Sequence, residues 1–226
     1  MGGDSADAMT AYGDHPDQVI EHFVPERPNG RTVVVVHGGF WRQRYDRVHA
    51  RPQARAIAAL GYDCLLPEYR RIPGDPGASI GDLLAALAHA GVERPILIGH
   101  SAGGQLALIT ALRSVPSPAA VISLGGVVDL VRAEELALGD GAVRAFLGTD
   151  AVNRPDLDPP QCTPPQFTVA LIHGTEDEDV PAELSERLAA AWGCDLTILP
   201  GVGHMELIEP ESGAWTQVVD VLRSLD

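Results

Sequence analysis

The sequence predicts an α/β fold in which a mostly parallel, twisted sheet carries helices on both faces. Two observations point to it. Short apolar runs rich in Val, Ile and Leu recur along the chain, as expected for strands that are buried on both faces. Longer stretches in which the apolar residues follow helical spacing separate these runs. The alternation of the two patterns favours strands that are joined by helical crossovers.

The elements follow one another in a regular order. The apolar runs predict strands at Val19–Val24, Thr32–His37, Tyr62–Pro67, Pro95–Gly99, Ala119–Leu124, Thr168–His173 and Asp195–Leu199. Stretches with one apolar face predict helices at Val48–Leu60, Ile80–Ala90, Gly103–Leu112, Pro181–Trp192 and Ser212–Leu225. We interpret residues 1–226 as a single domain, because a chain of this length can bury a sizeable core.

The segment from 126 to 166 interrupts this rhythm. It places about forty residues between two predicted strands, which is more than a simple crossover needs. Val131–Leu138 and Ala142–Leu147 have weak helical spacing, and several prolines lie near the end of the segment. We therefore expect a minimal cap here in preference to a disordered linker.

Composition and charge exclude several functions. The formal charge of −15 disfavours nucleic acid and anionic membrane surfaces as partners. All sixteen basic residues are Arg, and the absence of Lys excludes a Schiff-base lysine and a phosphate-binding P-loop. No apolar run is long enough to span a membrane, and the first thirty residues lack the segments of a secretory signal. We expect a cytoplasmic protein that binds a small molecule.

The three cysteines do not have the spacing of metal ligands, and no histidine cluster suggests a metal site. An odd number of cysteines is typical of free thiols in a reducing compartment. We predict no metal and no cofactor. The oligomeric state stays open, with a homodimer as one alternative.

The strongest chemical signal is a strand that runs into Gly99-His100-Ser101-Ala102-Gly103 and then directly into a helix. This Gly-x-Ser-x-Gly turn is a nucleophile elbow, whose glycines allow a sharp and strained bend. The partial positive charge of the helix N-terminus would stabilise an oxyanion there. Ser101 is the predicted nucleophile; the alternative is an ordinary glycine-rich turn.

A second turn follows the predicted strand that ends at His37. It reads Gly38-Gly39-Phe40-Trp41, and such a turn can direct backbone N–H groups at a carbonyl oxygen. We predict that Gly39, Phe40 and Ala102 form an oxyanion hole. The alternative is a loop that only buries a tryptophan.

A candidate acid and a candidate base follow the last two predicted strands. Four carboxylates, Glu176, Asp177, Glu178 and Asp179, lie in one turn, and His204 follows the next strand. Because the carboxyl ends of parallel strands share one edge of the sheet, both turns are expected near Ser101. The order Ser, acid, His is the order found in folds with a nucleophile elbow.

These motifs together resemble the α/β-hydrolase superfamily, and the likeness covers nearly the whole chain after Val19. The His-Gly-Gly-aromatic-Trp loop and the Gly-His-Ser-Ala-Gly elbow are most similar to bacterial carboxylesterases and arylformamidases (kynurenine formamidases). Phe40 stands where the hormone-sensitive-lipase-like esterases carry a third glycine. The resemblance favours Asp177 as the acid that orients His204. Glu178 and Asp179 lie just before a helix predicted to begin at Pro181, whose N-terminus stabilises negative charge, and we expect Glu176 to be solvated.

The resemblance implies an α/β-hydrolase fold and a serine hydrolase that cleaves a small ester or amide through an acyl-enzyme on Ser101. Two alternatives stay open: an arylformamidase that acts on N-formyl aromatic amines, and a non-hydrolytic acyl-transfer or cyclisation enzyme. Intact motifs argue against a protein that only binds a ligand. The physiological substrate is left undetermined.

Residues beside the motifs could contact substrate. Trp41, Arg42 and Met205 are the candidates. Further along the chain, Arg47, Arg51 and Arg55 have the spacing of one solvated stripe on a helix, and we assign them no part in the site.

Overall fold

The computed structural model describes residues 5–225, so residues 1–4 and 226 of the predicted domain lie outside the described residues. Within that range eight strands form one sheet in the order β1-β2-β4-β3-β5-β6-β7-β8. The strands are β1 Ala8–Ala11, β2 Val19–Phe23, β3 Thr32–Val36, β4 Asp63–Pro67, β5 Ile96–His100, β6 Ala120–Leu124, β7 Thr168–Gly174 and β8 Asp195–Leu199. Strands β3 to β8 are parallel to one another, and only the pairings β1–β2 and β2–β4 are antiparallel.

Helices cover both faces of this sheet. They are α1 Arg51–Ala59, α2 Pro76–Ala90, α3 Ala102–Arg113, α4 Leu130–Glu135, α5 Leu138–Leu147, α6 Glu183–Trp192 and α7 Trp215–Ser224. Alternate residues of each strand point to opposite faces. Val34 and Val36 therefore pack with α2 to α6, whereas Val33 and Val35 pack with α1 and α7. The predicted α/β fold class is confirmed.

The predicted strands are all present, with ends shifted by about one residue. The prediction missed β1, whose four residues are all exposed and carry no apolar signal. Helix α2 begins at Pro76 rather than Ile80, because the Asp75 side chain accepts a hydrogen bond from Ala78 N–H and caps it. The predicted start at Pro181 is also wrong, since α6 begins at Glu183. Residues 47–50 form a separate 3₁₀ turn before α1, and α7 begins at Trp215 rather than Ser212.

The segment from 126 to 166 folds into α4, α5 and two short 3₁₀ turns. Between α4 and the regular part of α5, the backbone has positive φ angles at Ala137, Gly139, Asp140 and Gly141. This left-handed stretch turns the chain sharply. The Phe146 ring of α5 stacks on the Trp41 ring, with centroids 4.6 Å apart. The segment therefore packs against the loop that follows β3.

A buried carboxylate holds the end of this segment against α4. Asp158 is 1% exposed, and its Oδ1 accepts a hydrogen bond of 2.7 Å from Leu130 N–H. In the described part of the chain its Oδ2 has no hydrogen-bond partner. Burial, and to a lesser degree the nearby charge of Asp129, raises the pKa of Asp158 to about 6.

This raised pKa gives a prediction for the free energy of unfolding. The carboxyl binds its proton more tightly in the folded state, so the contribution of Asp158 to the free energy of unfolding should fall as pH rises from about 4 to about 6 and then level off. Asp158→Asn keeps the acceptor for Leu130 N–H and removes the buried charge. We expect the variant to be more stable than the wild type by about 1–2 kcal/mol at pH 8 and to lack most of this slope. Urea unfolding of both proteins across this pH range measures it, and parallel curves would contradict the prediction.

Candidate active site

Ser101 lies at the sharp turn between β5 and α3, with φ 55° and ψ −125°. A residue with a side chain adopts this region only under strain. The turn is enforced by close packing: a Cβ atom on Gly99 would lie 2.2 Å from the Gly103 carbonyl oxygen, and one on Gly103 would lie 2.1 Å from that of Val36. The Ser101 N–H donates to the Leu124 carbonyl of β6, 2.9 Å away. Packing and the sheet thus fix the position of the nucleophile candidate.

The loop after β3 lies directly beside this turn. A Cβ atom on Gly38 would be 2.9 Å from the Ser101 Cβ. The next three residues all have positive φ angles: 113° at Gly39, 49° at Phe40 and 54° at Trp41. Among residues 5–225, no protein acceptor pairs with the N–H groups of Gly39, Phe40 or Ala102. These N–H groups are therefore available to an outside acceptor.

Asp177 and His204 form a hydrogen-bonded pair. The His204 Nδ1–H donates to Asp177 Oδ2 over 2.7 Å, and both side chains are shielded, at 9% and 0% exposed. Asp177 Oδ1 accepts from the N–H groups of Asp179 and Val180. Burial alone would raise the pKa of Asp177, but hydrogen bonds from His173 and His204 and the charge of His204 outweigh it and hold that pKa below its usual range. Asp177 is therefore an ionised acceptor at neutral pH.

The other three carboxylates of this turn are exposed, and within residues 5–225 none of them forms a hydrogen bond or ion pair with His204. Glu178 and Asp179 also lie farther from α6 than predicted, because that helix begins at Glu183. The acids in its first turn are Glu183 and Glu186, which take the stabilising position assigned to the other two.

His204 sits close to the elbow. Its carbonyl oxygen is 3.1 Å from His100 Nε2, and the two imidazole rings have centroids 4.4 Å apart. A Cβ atom on Gly125, the residue after β6, would lie 3.2 Å from His204 Nδ1 and 3.1 Å from Asp177 Oδ2. Residues 5–225 show no direct hydrogen bond between the Ser101 hydroxyl and the His204 ring. Such contacts often tighten only when substrate binds.

A buried ionic network supports the loop after β3, and the sequence analysis did not predict it. His37 Nε2 is 2.9 Å from Glu68 Oε1, and Glu68 also accepts hydrogen bonds from Arg47 N–H and the Arg71 guanidinium. Burial raises the pKa of Glu68, but the hydrogen bond from His37 and the charges of His37 and Arg71 outweigh this and lower the pKa below its usual range. The Tyr69 hydroxyl donates to the His37 carbonyl over 2.7 Å. The sequence feature that could have indicated this network is the charged run Glu68-Tyr69-Arg70-Arg71, which directly follows a buried strand.

The predicted solvated arginine stripe is wrong for its first two members. Arg47 and Arg51 converge on Glu21, with N···O distances of 2.8 and 2.5 Å, and the Glu21 side chain is only 2% exposed. Arg55 pairs with Asp7 at 3.0 Å. Helical spacing indicated a shared face, but the carboxylates that meet it lie far away in the chain, Glu21 in β2 and Asp7 just before β1.

The three candidate substrate contacts differ in their surroundings. Trp41 is 4% exposed, stacks on Phe146 and donates from Nε1 to Gln105 Oε1, so its ring belongs to the core. The Arg42 guanidinium donates to the Gly139 carbonyl of α5. Met205 is 43% exposed next to His204. Contact with substrate stays a prediction for all three.

Metal sites and membrane-spanning helices can be looked for in the described residues alone. Among residues 5–225, no group of three or more His, Cys, Asp or Glu side chains is placed to hold a metal ion. The helices in the same range are too short or too polar to cross a bilayer.

The comparison with known families decides the class of this fold. A family profile described as alpha/beta hydrolase fold matches residues 33–170, which include most of β3, the loop after it and the elbow. The chain belongs to the α/β-hydrolase family. The predicted superfamily is thereby confirmed, whereas likeness to the arylformamidases has no such support.

Individual relatives of this α/β-hydrolase are distant. An uncharacterized protein of Mycobacterium tuberculosis is 30% identical over 189 residues, which cover 78% of this chain and 63% of the relative. The chain thus spans less than two thirds of the length of that relative. Esterase B from Lactobacillus rhamnosis, solved with a tributyrin phosphonate, superposes with a TM-score of 0.80 at 21% identity, over 98% of this chain and 86% of that one. A Thermogutta terrifontis esterase with bound propionate superposes with a TM-score of 0.75 at 22% identity, over 96% and 92%. At these identities the two structures establish the fold alone.

Proposed function

We propose that this α/β-hydrolase is a serine hydrolase that cleaves a small ester or amide, with Ser101, His204 and Asp177 as its triad. The observation that carries the proposal is the His204–Asp177 hydrogen bond of 2.7 Å beside a strained serine at a helix N-terminus. An ionised, shielded carboxylate holds the imidazole with Nδ1 protonated, which leaves Nε2 free to accept a proton.

The reaction follows from this arrangement. Ser101 Oγ attacks the carbonyl carbon and passes its proton to His204 Nε2, while the N–H groups of Gly39, Phe40 and Ala102 bind the oxyanion. Collapse of the tetrahedral intermediate breaks the bond to the leaving group, which takes the proton from His204. A water molecule then attacks the acyl-enzyme in the same way and releases the acid, so the enzyme returns with its serine protonated. These steps need no cofactor.

The class of substrate can be tested directly. We expect purified protein to hydrolyse p-nitrophenyl acetate and to be labelled at Ser101 by an organophosphonate. The His-Gly-Gly-Phe-Trp loop favours the arylformamidase alternative, for which N-formylkynurenine is the matched substrate. If the protein turned over only this second substrate, the proposed activity would be that of a formamidase and not that of an esterase. Label at another serine would refute the assignment of the nucleophile.

We expect a preference for short acyl groups, from acetyl to butyryl. Ser101 is 3% exposed, and the Arg42 guanidinium binds the Gly139 carbonyl, which holds α5 against the oxyanion loop. Such close cover leaves little space beside the nucleophile for a long acyl chain. Rates on a series of p-nitrophenyl esters measure this preference, and rates that climb beyond about eight carbons would contradict it.

A further inference from the structure

His100 precedes the proposed nucleophile and has no part in the triad, yet it touches His204 twice. Its Nε2 lies 3.1 Å from the His204 carbonyl oxygen, and its ring lies against the His204 ring at an angle of 42°. His100 is only 4% exposed, so both contacts are shielded from water.

The protonation of His100 follows from its surroundings. Burial, with a further contribution from the charge of His204, lowers the pKa of His100 well below its usual value. The other titratable groups that act on it are His49, which also lowers its pKa, and Asp177, which raises it. Because a carbonyl oxygen can only accept, the neutral ring carries its proton on Nε2. His100 thus donates a hydrogen bond without adding a charge beside the base.

The loop that carries His204 is bound to the turn after β7, where Gly201 N–H donates to Thr175 Oγ1 over 2.9 Å and the Val202 carbonyl accepts from Glu176 N–H over 3.0 Å. It leaves β8 at Leu199 and enters a short 3₁₀ turn, Met205–Leu207, and Gly201 and Met205 on either side of the histidine are exposed. The Asp177 carboxylate fixes one ring nitrogen but comes from the turn after β7. His100 belongs to β5 and is joined directly to Ser101. Its hydrogen bond therefore connects β5, which ends directly before Ser101, to the loop after β8 that carries His204.

We propose that His100 is a positioning residue that holds His204 in register with Ser101; the proposal rests on the proposed function. Displacement of a reacting group by about 1 Å can cost on the order of 10²-fold in rate. The contribution of His100 should accordingly appear in kcat, while binding of a small ester changes little.

Two variants separate the hydrogen bond from the packing of the ring. His100→Phe keeps an aromatic ring against His204 and removes the donor, whereas His100→Gln supplies an amide N–H that can reach the same carbonyl. We expect His100→Phe to lower kcat on p-nitrophenyl acetate by about 10²-fold with a nearly unchanged KM. His100→Gln should recover a large part of this loss. His89→Gln is the control, since His89 is exposed at the end of α2 and makes no contact with the site in residues 5–225.

A second measurement does not depend on turnover. The Nδ1–H proton that His204 donates to Asp177 should give a low-field NMR signal as long as the pair is held together and shielded from water. We expect this signal in the wild type, in His100→Gln and in His89→Gln, and its broadening or loss in His100→Phe. Thermal unfolding of each protein shows whether the fold is retained.

The outcomes are distinct. His100→Phe with wild-type kcat and an unchanged proton signal overturns the proposal. Equal loss of activity in the Phe and Gln variants, with equal falls in Tm, also overturns it, because such a result indicates general packing. Should the wild type neither turn over an ester nor be labelled at Ser101, the proposed function fails, while the proton signal still reports whether His100 fixes His204.

Discussion

We expect Ser101→Ala to lower kcat by at least about 10⁴-fold while the melting temperature stays nearly unchanged. Without the hydroxyl no acyl-enzyme can form, and only the oxyanion hole and substrate binding remain to accelerate hydrolysis. The fold should tolerate the change because the Ser101 hydroxyl makes no hydrogen bond within residues 5–225. Alanine keeps the Cβ atom and with it the strained backbone at φ 55°.

Ser101 is only 3% exposed, so the expected tolerance rests on the absence of hydrogen bonds from its hydroxyl and not on solvent exposure. Initial rates on p-nitrophenyl acetate and a thermal melt of the same preparation measure the two effects. Organophosphonate labelling of the variant is the control and should be absent. Residual turnover close to that of the wild type would show that another residue is the nucleophile.

The second large effect concerns the acid. We expect Asp177→Asn to lower kcat by about 10³-fold to 10⁴-fold. An amide rotated so that its NH₂ group faces His204 Nδ1 would favour the wrong tautomer, in which Nε2 carries the proton and cannot accept one from Ser101. An amide rotated the other way would set its NH₂ group against the Asp179 and Val180 N–H groups, which donate to Asp177 Oδ1 in the wild type. The first orientation removes the base, and the second sets donors against one another.

Asp179→Asn is the matched control for this experiment. It makes the same chemical change two positions away, on an exposed side chain whose backbone N–H, not its carboxylate, contacts Asp177. We expect its kcat and KM to stay close to those of the wild type. The reverse pattern, with Asp179→Asn inactive and Asp177→Asn active, would show that Asp177 is the wrong residue of the turn for the role of the acid.

The sequence by itself determined the fold class and the order of the main elements. Strands such as β3 and β5 are continuous apolar runs, and the burial that makes them strands is encoded residue by residue. The elbow could also be predicted from the sequence, because the backbone of a sharp turn depends on glycines at fixed local positions. In the structure, packing at Gly99 and Gly103 leaves no room for a Cβ atom.

Only the tertiary structure decided which side chains meet. The residues alone left four carboxylates open, and only the family resemblance favoured Asp177. The 2.7 Å hydrogen bond shows that Asp177 meets His204, because this contact depends on how two loops approach across the edge of the sheet. The same holds for Glu21, whose partners Arg47 and Arg51 come from other elements, and for the contact of Glu68 with Arg47. It holds also for His100, which reaches a residue far along the chain. Turns and strands are determined by local backbone sterics, whereas hydrogen bonds and ion pairs between elements depend on distances that exist only once the sheet has assembled.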